Sequence, residues 1–272
     1  GEMISILLNA DDIVLLAESE EALQEMINHV ADWCHNWRLM INVDKTKIVH
    51  FRKSTAPETT FLFRLCDFEI EKVQQYKYLG VYFDYCLTFK YATDVLSSSA
   101  SRALGVVINK HKAIGGFGYS TYTKLFDNLV VPILDYGSGV WGTKSFQQSQ
   151  VIQNKAIRSF LGVHKFTPNL AIQGDMGWDS SNLRQRLNVL RLWCRFIMMP
   201  ASRLTKRIFL WDYELSMCGY DNWSSSVKTL LKETGQSVLN DTIYPVDVTC
   251  LLHSCHSCRS SLRTIAGNRW SA

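Results

Sequence analysis

The sequence predicts an α+β region followed by a mainly α-helical one, and three observations carry that prediction. Up to about residue 87, short runs of strand-forming residues alternate with turn residues around one helical segment. From Thr88 onward the apolar residues recur at three- and four-residue steps, the period of a helix face. The charge shifts as well. Residues 1–97 hold 9 Lys/Arg against 15 Asp/Glu, residues 98–210 hold 15 against 4, and residues 211–272 hold 5 against 6. These changes divide the chain into residues 1–87, 88–215 and a weakly patterned 216–272.

The first element is a hairpin. Ile4 to Leu8 and Ile13 to Ala17 are apolar runs around Asn9-Ala10-Asp11-Asp12, and Asn and Asp suit a tight turn. Two adjacent carboxylates at a hairpin tip need no function, but they are also a way to hold a divalent metal. Ser19 then caps a helix that opens on Glu20 and Glu21, favourable against the helix dipole. Leu23, Met26, Ile27, Val30, Cys34 and Trp37 form its apolar face. A loop from Met40 to Lys47 runs into a strand at Ile48–Phe51, and Ser54 to Thr60 is a polar turn. Phe61–Leu65, Phe68–Ile70 and Tyr76–Phe83 read as extended, with Gly80 marking a bend or close approach.

Beyond Thr88, Ala92, Leu96, Ser99, Ala103 and Val106 share a helix face that stops at Gly115-Gly116. A second helix runs from about Ser120 to Val131, where Pro132 breaks it. Tyr136–Gly142 is either a short buried helix or irregular. A helix covers Phe146–Leu161, residues 167–179 read as a loop, and a further helix spans Leu183–Met199, ended by Pro200. Arg184, Arg191 and Arg195 form a basic stripe on that helix, continued by Arg203, Lys206 and Arg207. A basic block of this kind is expected where a protein grips phosphate backbones, although it also describes a solvated helical surface.

Composition narrows the class. A hydrophobic fraction of 47% with 12% aromatic excludes a disordered chain, and no apolar run approaches the ~20 residues of a membrane span. The N-terminus lacks the pattern of a signal peptide. It starts with Gly1 rather than Met, which suggests a fragment. Of 8 cysteines, Cys34, Cys66, Cys86, Cys194 and Cys218 sit in apolar segments as small hydrophobes would. Their spacing suggests no disulfide framework, so a reducing compartment is expected.

The order of these pieces resembles the reverse transcriptases of non-LTR (LINE-type, jockey-like) retrotransposons. Ala10-Asp11-Asp12 in its hairpin looks like the family's third palm motif. Asn42-Val43-Asp44-Lys45-Thr46-Lys47 resembles the fourth, and Tyr76-Lys77-Tyr78-Leu79-Gly80-Val81 the fifth, the hairpin that grips the primer. Ala103-Leu104-Gly105, Tyr122 to Trp141 and Gly174-Asp175-Met176-Gly177-Trp178 resemble the helical thumb and the region after it. The resemblance covers roughly residues 3–215 and implies a partial polymerase palm (hairpin, helix, small antiparallel sheet) followed by a helical thumb.

The resemblance also implies a chemistry: nucleotidyl transfer to a primer 3′-hydroxyl with two metal ions, Mg²⁺ or Mn²⁺, in the full-length parent. Asp11 would be the principal metal ligand and Asp12 the second, more loosely engaged carboxylate. Lys45 would lie near the pyrophosphate leaving group. Tyr78, Leu79 and Gly80 would position the primer terminus, with a plain sheet edge as the alternative. Arg184, Arg191, Arg195, Arg203, Lys206 and Arg207 would track phosphates without reading sequence. The partners implied are an RNA template, a DNA primer and a deoxynucleoside triphosphate, in a cytoplasmic ribonucleoprotein and the nucleus, with no membrane.

Two departures from the family pattern stand out. An aromatic residue normally precedes the Ala-Asp-Asp, and here it is Asn9. The first-motif aspartate and the second motif would precede Gly1, so the isolated chain is expected not to polymerise. Near the C-terminus, Cys250, His253, Cys255, His256 and Cys258 contain one C-x-x-C, but the C-x₂-C-x₄-H-x₄-C spacing of a zinc knuckle is absent. A metal-free tail is expected. Two readings of other classes stay open: a non-enzymatic RNA/DNA-binding module derived from such an element, and a helical interaction protein.

Overall fold

A computed structural model gives the structure of residues 4–235, together with residues 258, 260–262 and 264. The chain forms two compact units, Gly1–Tyr91 and Ala92–Ala272.

The first unit is built from hairpins packed around one helix. Strands β1 (Ile6–Asn9) and β2 (Asp12–Leu15) pair antiparallel, with Asn9 opposite Asp12 and Leu8 opposite Ile13. Helix α1 (Glu20–Asn36) follows, and the Ser19 hydroxyl accepts from the Ala22 N–H at 3.2 Å, as the sequence predicts. Ile27 and Cys34 face inward, but Trp37 is 68% exposed. It lies just past the last turn of α1, where the helical register that would bury it has ended.

Two further hairpins, β3 (Arg64–Leu65) with β4 (Phe68–Glu69) and β5 (Gln75–Tyr78) with β6 (Val81–Asp84), complete the unit. Its strands form three separate two-stranded sheets. The strand expected at Ile48–Phe51 shrinks to a single parallel bridge, Ile48 to Lys72. Side chains take over the linking role there. The Gln24 amide both donates to the Arg64 carbonyl (2.7 Å) and accepts from its N–H (2.8 Å), as a neighbouring strand would. Lys72 Nζ satisfies the carbonyls of Thr59 and Phe61 at 3.0 and 2.9 Å. The core is Ile27, Ile48, Phe63, Leu65 and Ile70, with Leu15 and Leu23 packed against it.

The second unit is helical. Helix α2 (Lys90–Ala113) buries Ala92, Thr93, Ser97, Ala100, Leu104 and Val107. That stripe is rotated by one residue from the expected face, and Val106 is 61% exposed. Small Ser and Ala residues occupy both flanks, so spacing alone did not choose between them. Helix α3 (Tyr119–Leu125) runs through a π-helical turn, Phe126–Val130, into α4 (Val131–Leu134). Pro132 therefore does not end the helix. It sits in the first turn of α4, where a missing N–H costs nothing.

Helix α5 (Ser138–Trp141) resolves the ambiguous Gly-rich stretch. It lies against α8 (Ser181–Met198) at backbone distance: a Cβ on Gly142 would meet the Ser138 and Gln185 carbonyl oxygens at 2.4 and 2.8 Å. Helix α6 (Gln147–Leu161) matches expectation, but α7 (Asn169–Met176) occupies the segment read as a loop. Helices α9 (Leu204–Met217) and α10 (Trp223–Glu233) follow, α10 opened by a capping box between Asn222 and Ser225. One apolar cluster joins α2, α3, α4, α6 and α7 around Tyr122, Phe126 and Ile157. A second joins α8, α9 and α10 around Leu190, Ile197 and Phe209, and includes Cys258. Among the described residues, no helix is long and apolar enough to cross a membrane.

Candidate functional site

The loop that joins β1 to β2 has two residues, Ala10 and Asp11, and Ala10 takes φ of 52°. That region is a glycine's, and an L-residue placed there carries about 1–2 kcal/mol of steric cost. The effect is to set Asp11 at the tip and Asp12 at the start of β2, both exposed. Side chains alternate across a strand, so Asn9 and Asp12 share one face with Leu7 and Val14. Ile6, Leu8 and Ile13 lie on the other face and are 44, 68 and 41% exposed. The hairpin thus leaves Ile6, Leu8 and Ile13 open together with two hard oxygen donors, while Leu15 of the same apolar face packs against the core. Among the described residues, no three His, Cys, Asp or Glu side chains cluster closely enough to hold a metal.

Lys45 is held by its own loop. Asn42 Oδ1 accepts from the Lys45 N–H at 3.0 Å, and the Thr46 hydroxyl donates to the Asn42 carbonyl at 2.9 Å. This is the turn an Asn-x-x-Lys-Thr run builds through side-chain mimicry of the backbone. The Tyr76 hydroxyl, on β5, donates to the Lys45 carbonyl at 3.1 Å. The structure therefore brings Lys45 together with the β5–β6 hairpin that carries Tyr78, Leu79 and Gly80. Leu79 and Gly80 have φ of 47° and 84°, the pair of positive values of a type I′ turn, so Gly80 is a turn residue. The ammonium of Lys45 is exposed, and among the described residues no ion pair joins it to Asp11 or Asp12.

The six basic residues Arg184, Arg191, Arg195, Arg203, Lys206 and Arg207 do not form one surface. Arg184 turns inward: Nε donates to Asp135 Oδ2 at 3.1 Å, and Nη1 reaches Gln153 Oε1 and the Asp179 carbonyl. Burial pushes the Asp135 carboxyl above its ordinary value, with the Arg184 charge opposing. Lys206 is 1% exposed and donates to the Ile197 carbonyl at 3.2 Å, where its charge meets the negative end of α8. Burial lowers its pKa. Arg191, Arg195, Arg203 and Arg207 are exposed. The spacing that groups Arg184 and Lys206 with them cannot tell a buried partner from solvent, because both face a helix side shared with Asp135 or an apolar ring.

Of the Cys/His cluster, Cys258 is buried and lies 3.5 Å from the Thr234 hydroxyl within the α8–α10 core. Cys250, His253, Cys255 and His256 lie outside the described residues. Cys66 and Cys218 are exposed rather than core residues, because each falls at a turn beyond its apolar run. Sequence reading missed Asp84, whose carboxylate collects the N–H groups of Cys86, Thr88 and Phe89 and the Thr88 hydroxyl at 2.9–3.1 Å. Burial works upward on this group, but those hydrogen bonds outweigh it and hold Asp84 below the usual carboxylate value. The signal available was Asp-x-x-x-Thr directly before a helix.

Residues 2–83 match the family described as reverse transcriptase (RNA-dependent DNA polymerase). By this match residues 2–83, which include the carboxylate hairpin, are similar to the reverse-transcriptase class. The similar proteins are named for transposons and mobile elements. The chain is 27% identical over 179 residues to the protein named probable RNA-directed DNA polymerase from transposon BS of Drosophila melanogaster, covering 61% of this chain and 19% of that one. It is 26% identical over 190 residues to the RNA-directed DNA polymerase from mobile element jockey of the same species, covering 64% and 20%. A transposon-derived protein of Caenorhabditis elegans is 27% identical over 152 residues, 52% of this chain and 50% of that one. The chain thus spans about a fifth of the length of the two polymerases. No solved structure matches it.

Proposed function

We propose that this chain is the part of a retrotransposon RNA-directed DNA polymerase that carries one edge of the catalytic palm and the helices that hold template and primer. The observation that carries this reading is the Asp11–Asp12 hairpin inside a segment that matches the reverse-transcriptase family. Exposed, adjacent carboxylates are donors that Mg²⁺ accepts, since that ion is usually held by one or two carboxylates plus substrate phosphates. Asp11 and Asp12 would hold it, and the ion would neutralise charge on the transferring phosphoryl group. Lys45, fixed by Asn42 and Tyr76, supplies a cation on the pyrophosphate side. The Leu79-Gly80 turn supports the primer end, and Arg191, Arg195, Arg203 and Arg207 contact phosphates. RNA template, DNA primer and a deoxynucleoside triphosphate are the partners on this reading.

Two hairpin carboxylates alone do not complete a two-metal site, so on this reading the chain by itself does not polymerise. The apolar face of Ile6, Leu8 and Ile13 is where the rest of the polymerase sheet would pack. A primer-extension assay tests both points. The isolated chain should add no nucleotide, while a complete homologous polymerase into which residues 4–87 are grafted should extend a primer and lose that activity with Asp11→Ala. Extension unaffected by Asp11→Ala would refute the assignment.

A further inference from the structure

The loop after α6 shows a feature that the palm and the arginine stripe do not use. Gly162, with φ of 66°, ends the helix. His164 to Thr167 then form a turn closed by the Thr167 N–H donating to the His164 carbonyl at 3.0 Å. Arg158 Nη2 clamps the far side of this turn, donating to the Thr167 carbonyl at 2.9 Å and to Asn169 Oδ1 at 2.6 Å. On this fixed loop Phe166 is 79% exposed. The His164 ring lies 5.0 Å from its centroid and Lys165 Nζ 4.9 Å from it. Displaying so much aromatic surface forgoes roughly 2 kcal/mol or more of burial.

The surrounding charge indicates what such a ring would meet. Residues 95–126 contain four Lys/Arg and no Asp or Glu, and residues 136–174 likewise. The two stretches touch. His111, in the last turn of α2, packs its ring 5.9 Å from Phe160, two residues before Gly162. Lys110 and Lys112 flank His111 and are exposed. An exposed aromatic ring with a cation against it, on a stretch rich in Lys and Arg and free of Asp and Glu, is the composition that holds a single nucleic-acid strand, with a base on the ring and phosphates on the ammonium groups.

We propose that Phe166 is a stacking platform for an unpaired base of a single-stranded nucleic acid, and that Lys165, Lys110 and Lys112 hold the flanking phosphates. This rests on the nucleic-acid reading above and deepens it, since a duplex keeps its bases stacked on one another and cannot use the ring. Binding of fluorescent oligouridine, oligothymidine and an RNA–DNA hybrid to the full chain tests it. Phe166→Ala should weaken both single strands by about 10-fold and leave the hybrid unchanged, while Phe166→Tyr restores the single strands. A joint Lys110→Ala and Lys112→Ala change should make the salt slope shallower by about one to two units. Loss with one sugar only would overturn the proposal, because a ring reads the base face and not the 2′-hydroxyl. Equal loss on single strands and hybrid, or no loss, overturns the platform while the wider reading stands. No binding of any nucleic acid at low salt overturns both.

Discussion

Ala10 carries the strain of the carboxylate hairpin. Its φ of 52° is unfavourable for any side chain, and such outliers persist where the surrounding structure requires them. Ala10→Gly should therefore stabilise the first unit by about 1 kcal/mol in urea unfolding. A destabilisation would show that the methyl group packs. Arg184 makes a second residue-level case. Its side chain and that of Asp135 are 19% and 8% exposed, so Arg184→Ala leaves a carboxylate buried without its cation. Breaking such a pair costs about 3 kcal/mol, whereas Arg191→Ala should leave thermal stability within about 0.5 kcal/mol. At this scale the sequence was legible for the hairpin turn that holds Asp11 and Asp12 and for the loop around Lys45, since both follow from turn chemistry. It was not legible for Arg184 and Lys206, because a helix face names a direction and not what waits there.

Among the elements, Asp84 links the β5–β6 hairpin to the turn before α2, and its ionisation is part of that link. With the folded pKa held below the ordinary 3.8, its contribution is present above that value and is lost as pH falls through the lower folded value. Acid titration followed by near-ultraviolet circular dichroism should show this loss, and Asp84→Asn should flatten that limb while lowering stability at neutral pH. Asp135 has the opposite sign. Its raised pKa means that protonation favours the fold, so it adds no lability in acid. The elements that the sequence concealed share a cause. Helix α7 buries only Ile172 and Met176 and is bounded by Pro168 and Gly177, so its turn residues outweigh its short period. Helix α10 begins with a capping box of Asn222 and Ser225 instead of the Ser-x-x-Glu form. Pro132 misled because a π turn ahead of it absorbs the helix break.

On the scale of the whole molecule, charge and fold agree. The acidic first unit carries the carboxylate hairpin, and the basic second unit leaves Arg191, Arg195, Arg203 and Arg207 exposed beside a core they do not serve. The α+β-then-α order was readable from period and charge, since both change near the same residue. The grouping of strands into three hairpins was not, because side-chain bridges such as Gln24 to Arg64 carry no sequence pattern. The most direct measurement is the salt dependence of binding to an RNA–DNA hybrid by the full chain and by its Arg191→Ala, Arg195→Ala, Arg203→Ala, Arg207→Ala quadruple variant. With about four phosphates neutralised, the affinity should fall with a logarithmic salt slope of about −3 to −4, and the variant's slope should approach zero. An unchanged slope in the variant, or no hybrid binding at low salt, would contradict the central claim.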